Sequence, residues 1–197
     1  MHREVLFALA LGYLLGSIPF GLLLARWGGK GDIRSIGSGN IGATNVLRTG
    51  SKGLAALTLV LDCLKATAAI LLARMLWGDQ VDRYAATGAF LGHLYPVWLG
   101  FRGGKGVATM LGVLIPILPG AALIYAITWI FLLVTIRISS VAGIGAVLSA
   151  PITALILGRS TLLPMLLGFT LLVLWKHREN IRRLAGGTEP RIGRKKD

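Results

Sequence analysis

The stretch Val107-Ala-Thr-Met-Leu-Gly-Val-Leu-Ile-Pro-Ile-Leu-Pro-Gly-Ala-Ala-Leu-Ile-Tyr-Ala-Ile-Thr-Trp-Ile-Phe-Leu-Leu-Val-Thr-Ile136 holds no charged residue. As one straight helix rising 1.5 Å per residue it would be about 45 Å long, well beyond a hydrocarbon core of about 30 Å. Pro116, Pro119 and Gly120 lie inside it and supply a turn. Two helices are therefore expected, over 107–115 and 119–136. Further apolar runs flank this pair at 5–25, 54–76, 84–99, 140–157 and 161–175. The first is too long for a cleaved signal peptide, and no A-x-A-like site follows it. The expected fold is all-α: a polytopic membrane protein with seven transmembrane helices in a single domain over 1–197.

Composition agrees. The chain has 197 residues, 54% hydrophobic and only 15% charged, with a mean hydropathy of +0.72. A soluble domain needs about a quarter charged residues to wet its surface. The net charge of +13 could suggest nucleic acid, but no nucleic-acid motif or aromatic-interleaved basic stripe accompanies it. The single Cys63 excludes an internal disulfide and a cysteine-based metal cluster.

The basic residues also orient the chain. With seven spans and the N-terminus outside, Arg26, Lys30, Arg34, Arg48, Lys52, Arg102, Lys105 and Arg137 fall inside. The tail adds Lys176, Arg178, Arg182, Arg183, Arg191, Arg194, Lys195 and Lys196 to that side. Only Arg3, Arg74, Arg83 and Arg159 fall outside. Merging the two helices of 107–136 would send the basic tail outside, against the positive-inside rule. The N-terminus is thus expected outside and the C-terminus in the cytoplasm. Two of the inner connections and the tail are also the longer, polar, glycine-containing ones, so function is expected at the cytoplasmic face.

Three inner segments carry the chemistry. The first is Arg34-Ser-Ile-Gly-Ser-Gly-Asn-Ile-Gly-Ala-Thr-Asn45, followed by Arg48. Gly37, Gly39 and Gly42 permit positive φ, and consecutive N–H groups in such a loop form an anion nest. Ser35, Ser38, Asn40, Thr44 and Asn45 add neutral hydrogen-bonding groups, and Arg48 a forked cation suited to phosphate. The second is Gly92-His-Leu-Tyr-Pro-Val-Trp-Leu-Gly-Phe-Arg-Gly-Gly-Lys-Gly106. Its Gly103-Gly-Lys-Gly106 end reads as another phosphate cradle, with Lys105 as point charge ahead of a helix N-terminus. Tyr95 and Trp98 read as interfacial anchors, and His93 as a buried, satisfied histidine or a catalytic one. The third is Lys176-His-Arg-Glu-Asn-Ile-Arg-Arg-Leu-Ala-Gly-Gly-Thr-Glu189. His177, Asn180 and Leu184 share one helical face, with Arg183 beside them. Composition alone leaves this segment between a site and a basic anchor for anionic lipid. Within the second span, Asp62 and Lys65 sit i, i+3. An ion-pair staple between helices is the first reading, and positioning of the loops the second.

Two anion cradles and a histidine on one rim suggest two phosphorylated ligands brought together. No carboxylate cluster suited to Mg²⁺ is apparent, and no His-x4-Asp, Ser-x-x-Lys or Gly-x-Ser-x-Gly signature occurs. The chemistry expected is direct transfer from an already activated donor. A small-anion transporter and a lipid-binding protein are the alternatives. One-sided loops and the lack of an internal repeat weigh against the first.

Taken in order, Ser38-Gly-Asn-Ile-Gly-Ala-Thr-Asn45, Gly92-His-x-x-Pro through Gly103-Gly-Lys-Gly106, and His177-x-x-Asn-x-x-Arg-x-x-Gly-x-x-Glu189 resemble the bacterial acyl-phosphate:glycerol-3-phosphate acyltransferase family (PlsY). The resemblance runs over essentially the whole chain. It implies transfer of a fatty acyl group from acyl phosphate to the 1-hydroxyl of glycerol-3-phosphate, giving lysophosphatidate and phosphate in phospholipid biosynthesis. It places acyl-phosphate binding on Ser35, Gly37, Ser38, Gly39, Asn40, Thr44, Asn45 and Arg48. Glycerol-3-phosphate falls to Gly103, Gly104, Lys105 and Gly106, together with Arg183. His177 and Asn180 become the catalytic pair, and Glu189 joins Asp62 and Lys65 as structural support. No metal, cofactor or nucleic acid is implied. The expected setting is the bacterial inner membrane, with the active site facing the cytoplasm and a monomer as the working unit.

Overall fold

A computed structural model describes residues 2–193, so Arg194, Lys195 and Lys196 of the basic tail lie outside the described residues. Ten α-helices form among them, joined by short turns except for the longer loops over 28–42 and 95–106, in two compact units: one up to Ile117, the other from Leu118 onward.

In the first unit, α1 (His2–Gly16) and α2 (Phe20–Trp27) make up the first apolar run. The sequence suggested one helix here. Pro19, which cannot donate, is the residue ahead of α2 and breaks the run. After the short α3 (Ala43–Leu47) comes α4 (Lys52–Trp77), whose N-terminus is capped by Ser51 accepting from Leu54 N–H. Then follow α5 (Asp82–Leu94) and α6 (Val107–Ile117). The third apolar run was expected to stay helical to residue 99. Instead it stops at Leu94, because Pro96 disfavours helix at the residue before it.

α1 packs against α5 through matched glycines. A Cβ added at Gly12 or Gly16 would fall on the backbone of Ala85 or Ala89, and one at Gly88 or Gly92 on that of Leu9 or Tyr13. Both helices therefore carry a small-xxx-small face, which lets the two backbones close directly. α4 meets α6 the same way. Gly112 lies against the Cys63 carbonyl, and Thr67 Oγ1 donates to Gly112 O at 2.8 Å.

The second unit holds α7 (Pro119–Ile136), α8 (Ser139–Ile156), α9 (Leu163–Lys176) and α10 (Arg178–Ala185). Pro119 starts α7 as the sequence suggested, whereas Pro116 is accommodated within α6. α7 and α8 are joined by Arg137, in the left-handed region at φ 61°, and Ile138. The chain bends by 59° between α9 and α10, at His177.

The interior is small and the exterior large. Ala66, Ala69, Ala73, Ala85, Ala89, Ala142, Ala146 and Ala150 are fully buried, while Phe7, Ile130, Phe131, Val134, Leu155 and Ile156 are exposed. Water would oppose that arrangement; hydrocarbon does not, because lipid tails are as apolar as leucine. Residues 2–27, 52–77, 119–136 and 139–156 are long and apolar enough to cross a bilayer, and α9 with α10 adds a fifth if counted as one bent span.

Candidate functional site

The first polar loop is organised by Asp32 and Asn45. Asp32 accepts from Arg34 N–H at 3.0 Å and Arg34 Nε at 2.9 Å, and from Arg26 Nη2 at 3.2 Å. The Arg34 side-chain hydrogen bond holds the Asp32 carboxyl far below the usual carboxylate range, and the same bond raises Arg34. The tight turn Ile33–Ser35 that results is closed by Ser35 Oγ donating to Asp32 O at 2.7 Å. Buried Asn45 works from the other side. Its Nδ2 donates to Ile33 O at 2.6 Å and Ile36 O at 3.2 Å, and its Oδ1 accepts from Arg48 Nη1 at 3.2 Å and Ser38 N–H at 3.4 Å. Both ends of the Asn45 amide are thus used inside the loop.

Gly37 and Gly39 take φ of 57° and 65°. A Cβ at Gly37 would strike both Arg48 Nη1 and Asn45 Oδ1, so only glycine lets the Arg48 guanidinium lie across the loop. Gly42, expected to share that freedom, instead has φ −82° and precedes α3. Asn40 Oδ1 accepts from its amide at 2.8 Å. Arg34, Ser35, Ile36, Ser38, Thr44 and Arg48 are exposed at the surface.

The second polar loop is clamped to the end of α5. Gly103 N–H donates to Leu94 O at 3.2 Å and Gly104 N–H to His93 O at 3.0 Å. A side chain at Gly104 would enter the His93 ring, and one at Gly106 (φ 89°) would meet the Phe90 ring. Lys105 is half-buried directly before α6. Leu99 packs on the cluster of Leu22, Ala25, Ile33, Ile41, Val46 and Ala55, so both loops rest on one apolar base. Trp98 Nε1 donates to Ser17 O at 2.8 Å, and Tyr13 OH to Tyr95 O at 2.7 Å. These bonds tie the loop to the break after α1, which leaves Ser17 with an uncommitted carbonyl.

Below it lies a buried ionic cluster. Lys65 Nζ donates to Asp62 Oδ1 at 2.7 Å and Ile18 O at 2.8 Å, and stands 3.0 Å from His93 Nδ1. Asp62 and Lys65 do pair, as expected. The sequence did not reveal that His93 completes the cluster.

In the second unit, the buried His177 sits at the α9–α10 bend with Nδ1 2.9 Å from Val173 O. A carbonyl only accepts, so Nδ1 carries a proton, and Nε2 of the neutral ring is a lone pair. Asn180 is buried and donates from Nδ2 to Glu189 Oε1 at 2.6 Å. Ser140 Oγ reaches the same oxygen at 2.7 Å, and Arg183 Nε takes Oε2 at 2.7 Å. Burial alone would raise the Glu189 carboxyl, but the bonds from Asn180, Ser140 and Arg183 outweigh it and hold it below the ordinary value. Arg183, expected at a substrate phosphate, thus commits its Nε to Glu189. Ser140 was missed by the sequence reading, where it marked only the start of a helix. Beyond Glu189, Ile192 N–H donates to Arg137 O at 2.7 Å.

Comparison with known proteins identifies the family. The family model described as glycerol-3-phosphate acyltransferase matches residues 6–187. The glycerol-3-phosphate acyltransferase of Rhodopseudomonas palustris (strain BisB5) is 56% identical over 189 residues, covering 96% of each chain. The crystal structure of PlsY (YgiH), an integral membrane glycerol 3-phosphate acyltransferase, in its glycerol 3-phosphate form superposes with a TM-score of 0.90 at 41% identity, over 96% of both chains. The lysophosphatidic acid form of PlsY superposes at 0.87 with 40% identity, over 96% of this chain and 95% of that one. The chain belongs to the glycerol-3-phosphate acyltransferase family.

Proposed function

We propose that this protein transfers a fatty acyl group from acyl phosphate to the 1-hydroxyl of glycerol-3-phosphate, releasing lysophosphatidate and phosphate. The observation that carries this reading is the match to PlsY solved in both a glycerol 3-phosphate form and a lysophosphatidic acid form, the acceptor and product of such a reaction. The donor is argued from chemistry. Acyl phosphate is already activated, and the transfer needs only positioning and charge stabilisation.

In the reaction the acceptor oxygen attacks the acyl carbonyl carbon, the single bond from that carbon to the oxygen bridging to phosphorus breaks, and phosphate departs with that oxygen and the electron pair. Arg48 and the exposed groups of the first loop hold the donor phosphate, with Ser35, Asn40 and Asn45 shaping that loop. Lys105, on the Gly103–Gly106 loop, holds glycerol-3-phosphate. Asn180, oriented by Glu189, and His177 act at the reacting hydroxyl. The hydroxyl proton goes to the Nε2 lone pair of His177 or to an oxygen of the departing phosphate.

The membrane reading counts α1 with α2 as one crossing and takes α4 to α9 as six more, with the N-terminus outside. α5 and α6, at 13 and 11 residues, are short for a core of about 30 Å; the basic residues of the inner loops support including them. The site then faces the cytoplasm of a bacterial inner membrane.

The test is a reaction of the purified protein with palmitoyl phosphate and glycerol-3-phosphate in the presence of chelator, with palmitoyl-CoA as the competing donor. Lysophosphatidate and phosphate are expected from the first donor only. Product from palmitoyl-CoA alone would overturn the donor assignment.

A further inference from the structure

Lys65 lies near the middle of α4, its side chain 2% exposed. An ammonium has three protons and no lone pair. Here it has three neighbours: Asp62 Oδ1, Ile18 O and His93 Nδ1, at 2.7, 2.8 and 3.0 Å. Each neighbour must accept one proton, so His93 Nδ1 is a lone pair, and the proton of the neutral ring sits on Nε2. A helix staple is complete with the first two bonds, which join α4 to the break between α1 and α2. The third goes to the residue that holds the second polar loop. His93 O accepts from Gly104 N–H at 3.0 Å. The Nε2 edge of its ring lies where a Gly104 side chain would be. Lys105 follows directly. This part of the cradle is therefore set on a ring that a buried charge orients.

We propose that Lys65 and His93 are positioning residues for glycerol-3-phosphate: Lys65 fixes the His93 ring, and the ring fixes Gly104 and so the reach of Lys105. This rests on the reading of Lys105 as an acceptor-phosphate ligand, and it goes beyond that reading in assigning a function to an ion pair that touches no substrate. Asp62 is the counter-charge that makes a buried ammonium tolerable.

The test uses the full-length protein in lipid nanodiscs and separates KM for each substrate from kcat. In His93→Asn the amide oxygen replaces Nδ1, so Lys65 keeps three acceptors, but nothing packs on Gly104. In Asp62→Asn/Lys65→Met both charges leave together, so no ion is stranded. Both variants are expected to raise KM for glycerol-3-phosphate by about tenfold or more, with KM for palmitoyl phosphate within about twofold, because misplacing a binding group by about 1 Å is felt at that scale. Gly104→Ala is expected to raise acceptor KM likewise. His93→Asn/Gly104→Ala should be no worse than His93→Asn alone, since the methyl then has room.

Lys105→Met separates the two readings. If Lys105→Met raises acceptor KM while His93→Asn and the double-charge variant do not, the positioning proposal is overturned and the site reading stands. If Lys105→Met leaves acceptor KM unchanged, the site reading fails first and the proposal with it. A His93→Asn protein that cannot fold, or one in which both KM values rise together, would assign the cluster to stability alone and also overturn the proposal.

Discussion

Glu189 Oε1 accepts from Asn180 Nδ2 at 2.6 Å, and that bond fixes which end of the amide is the nitrogen. Because Glu189 accepts from three donors, Asn180, Ser140 and Arg183, a carboxylate is the side chain of its size that satisfies all three. Glu189→Gln puts an amide NH₂ against at least one of them. Stranding a buried donor costs about 1–3 kcal/mol. A lower melting temperature and a fall in kcat are expected together, and turnover at the wild-type rate would count against the orienting role.

The same carboxyl carries a pH signature. Its folded-state value is depressed below the ordinary 4.5, so its contribution to stability is fully present above about that pH. It is lost as pH falls through the lower, folded-state value. Thermal melts between pH 3 and 6 should show acid destabilisation in the wild type that is reduced in Glu189→Gln. Identical pH slopes in the two proteins would contradict it.

Asn45 is expected to matter through loop geometry. Asn45→Asp replaces the NH₂ donor by a carboxylate oxygen facing the Ile33 and Ile36 carbonyls, a contact that must open. Gly37→Ala reaches the same loop by pushing the Arg48 guanidinium aside. Activity is expected to fall by about tenfold or more in each, the scale at which removing a positioned polar group is felt, with KM for the donor as the parameter that rises. An unchanged donor KM in a folded Gly37→Ala protein would remove Arg48 from the donor site.

His177→Asn and His177→Gln distinguish a base from a hydrogen-bonding partner. Asn retains a donor near the Nδ1 position for Val173 O but has nothing at Nε2, whereas Gln places an amide there without a basic lone pair. If His177 takes the proton, both variants should lose about 10²-fold or more in kcat with little change in KM. Near-normal turnover in either would assign the proton to the departing phosphate.

The α1–α5 contact gives a prediction about assembly of the first unit. Gly16→Ala or Gly92→Ala sets a methyl onto facing backbone, where no side chain can yield, and overpacking of this kind costs about 1–3 kcal/mol. Lower thermal stability in nanodiscs is expected for each, while Gly168→Ala, which meets nothing within 4 Å, should behave as wild type.

The helices and the polar segments between them were legible in the residues themselves. The long helices follow from a local property, a run of apolar side chains, and three of the breaks lie at Pro19, at Pro96 and at the turn of Leu118 and Pro119. The three segments stood out because neutral polar groups, glycines and cations cluster there and nowhere else at comparable density. What the side chains do within them was not legible. Asn45, Ser35 and Arg183 look in sequence like groups for a substrate, and the fold turns their donors onto Ile33, Asp32 and Glu189. His93 was read as a buried, satisfied histidine or a catalytic one, and Ser140 gave no signal; neither pairing was legible, since Lys65 and Glu189 stand 28 and 49 positions away. Hydropathy is additive along a chain and survives unfolding, so the sequence alone marks the apolar runs, while the breaks inside them after Gly16 and Leu94 were seen only in the structure. A hydrogen bond exists only where two backbones have already met. Which polar group builds the loop and which is left to face a ligand was therefore decided by the tertiary structure.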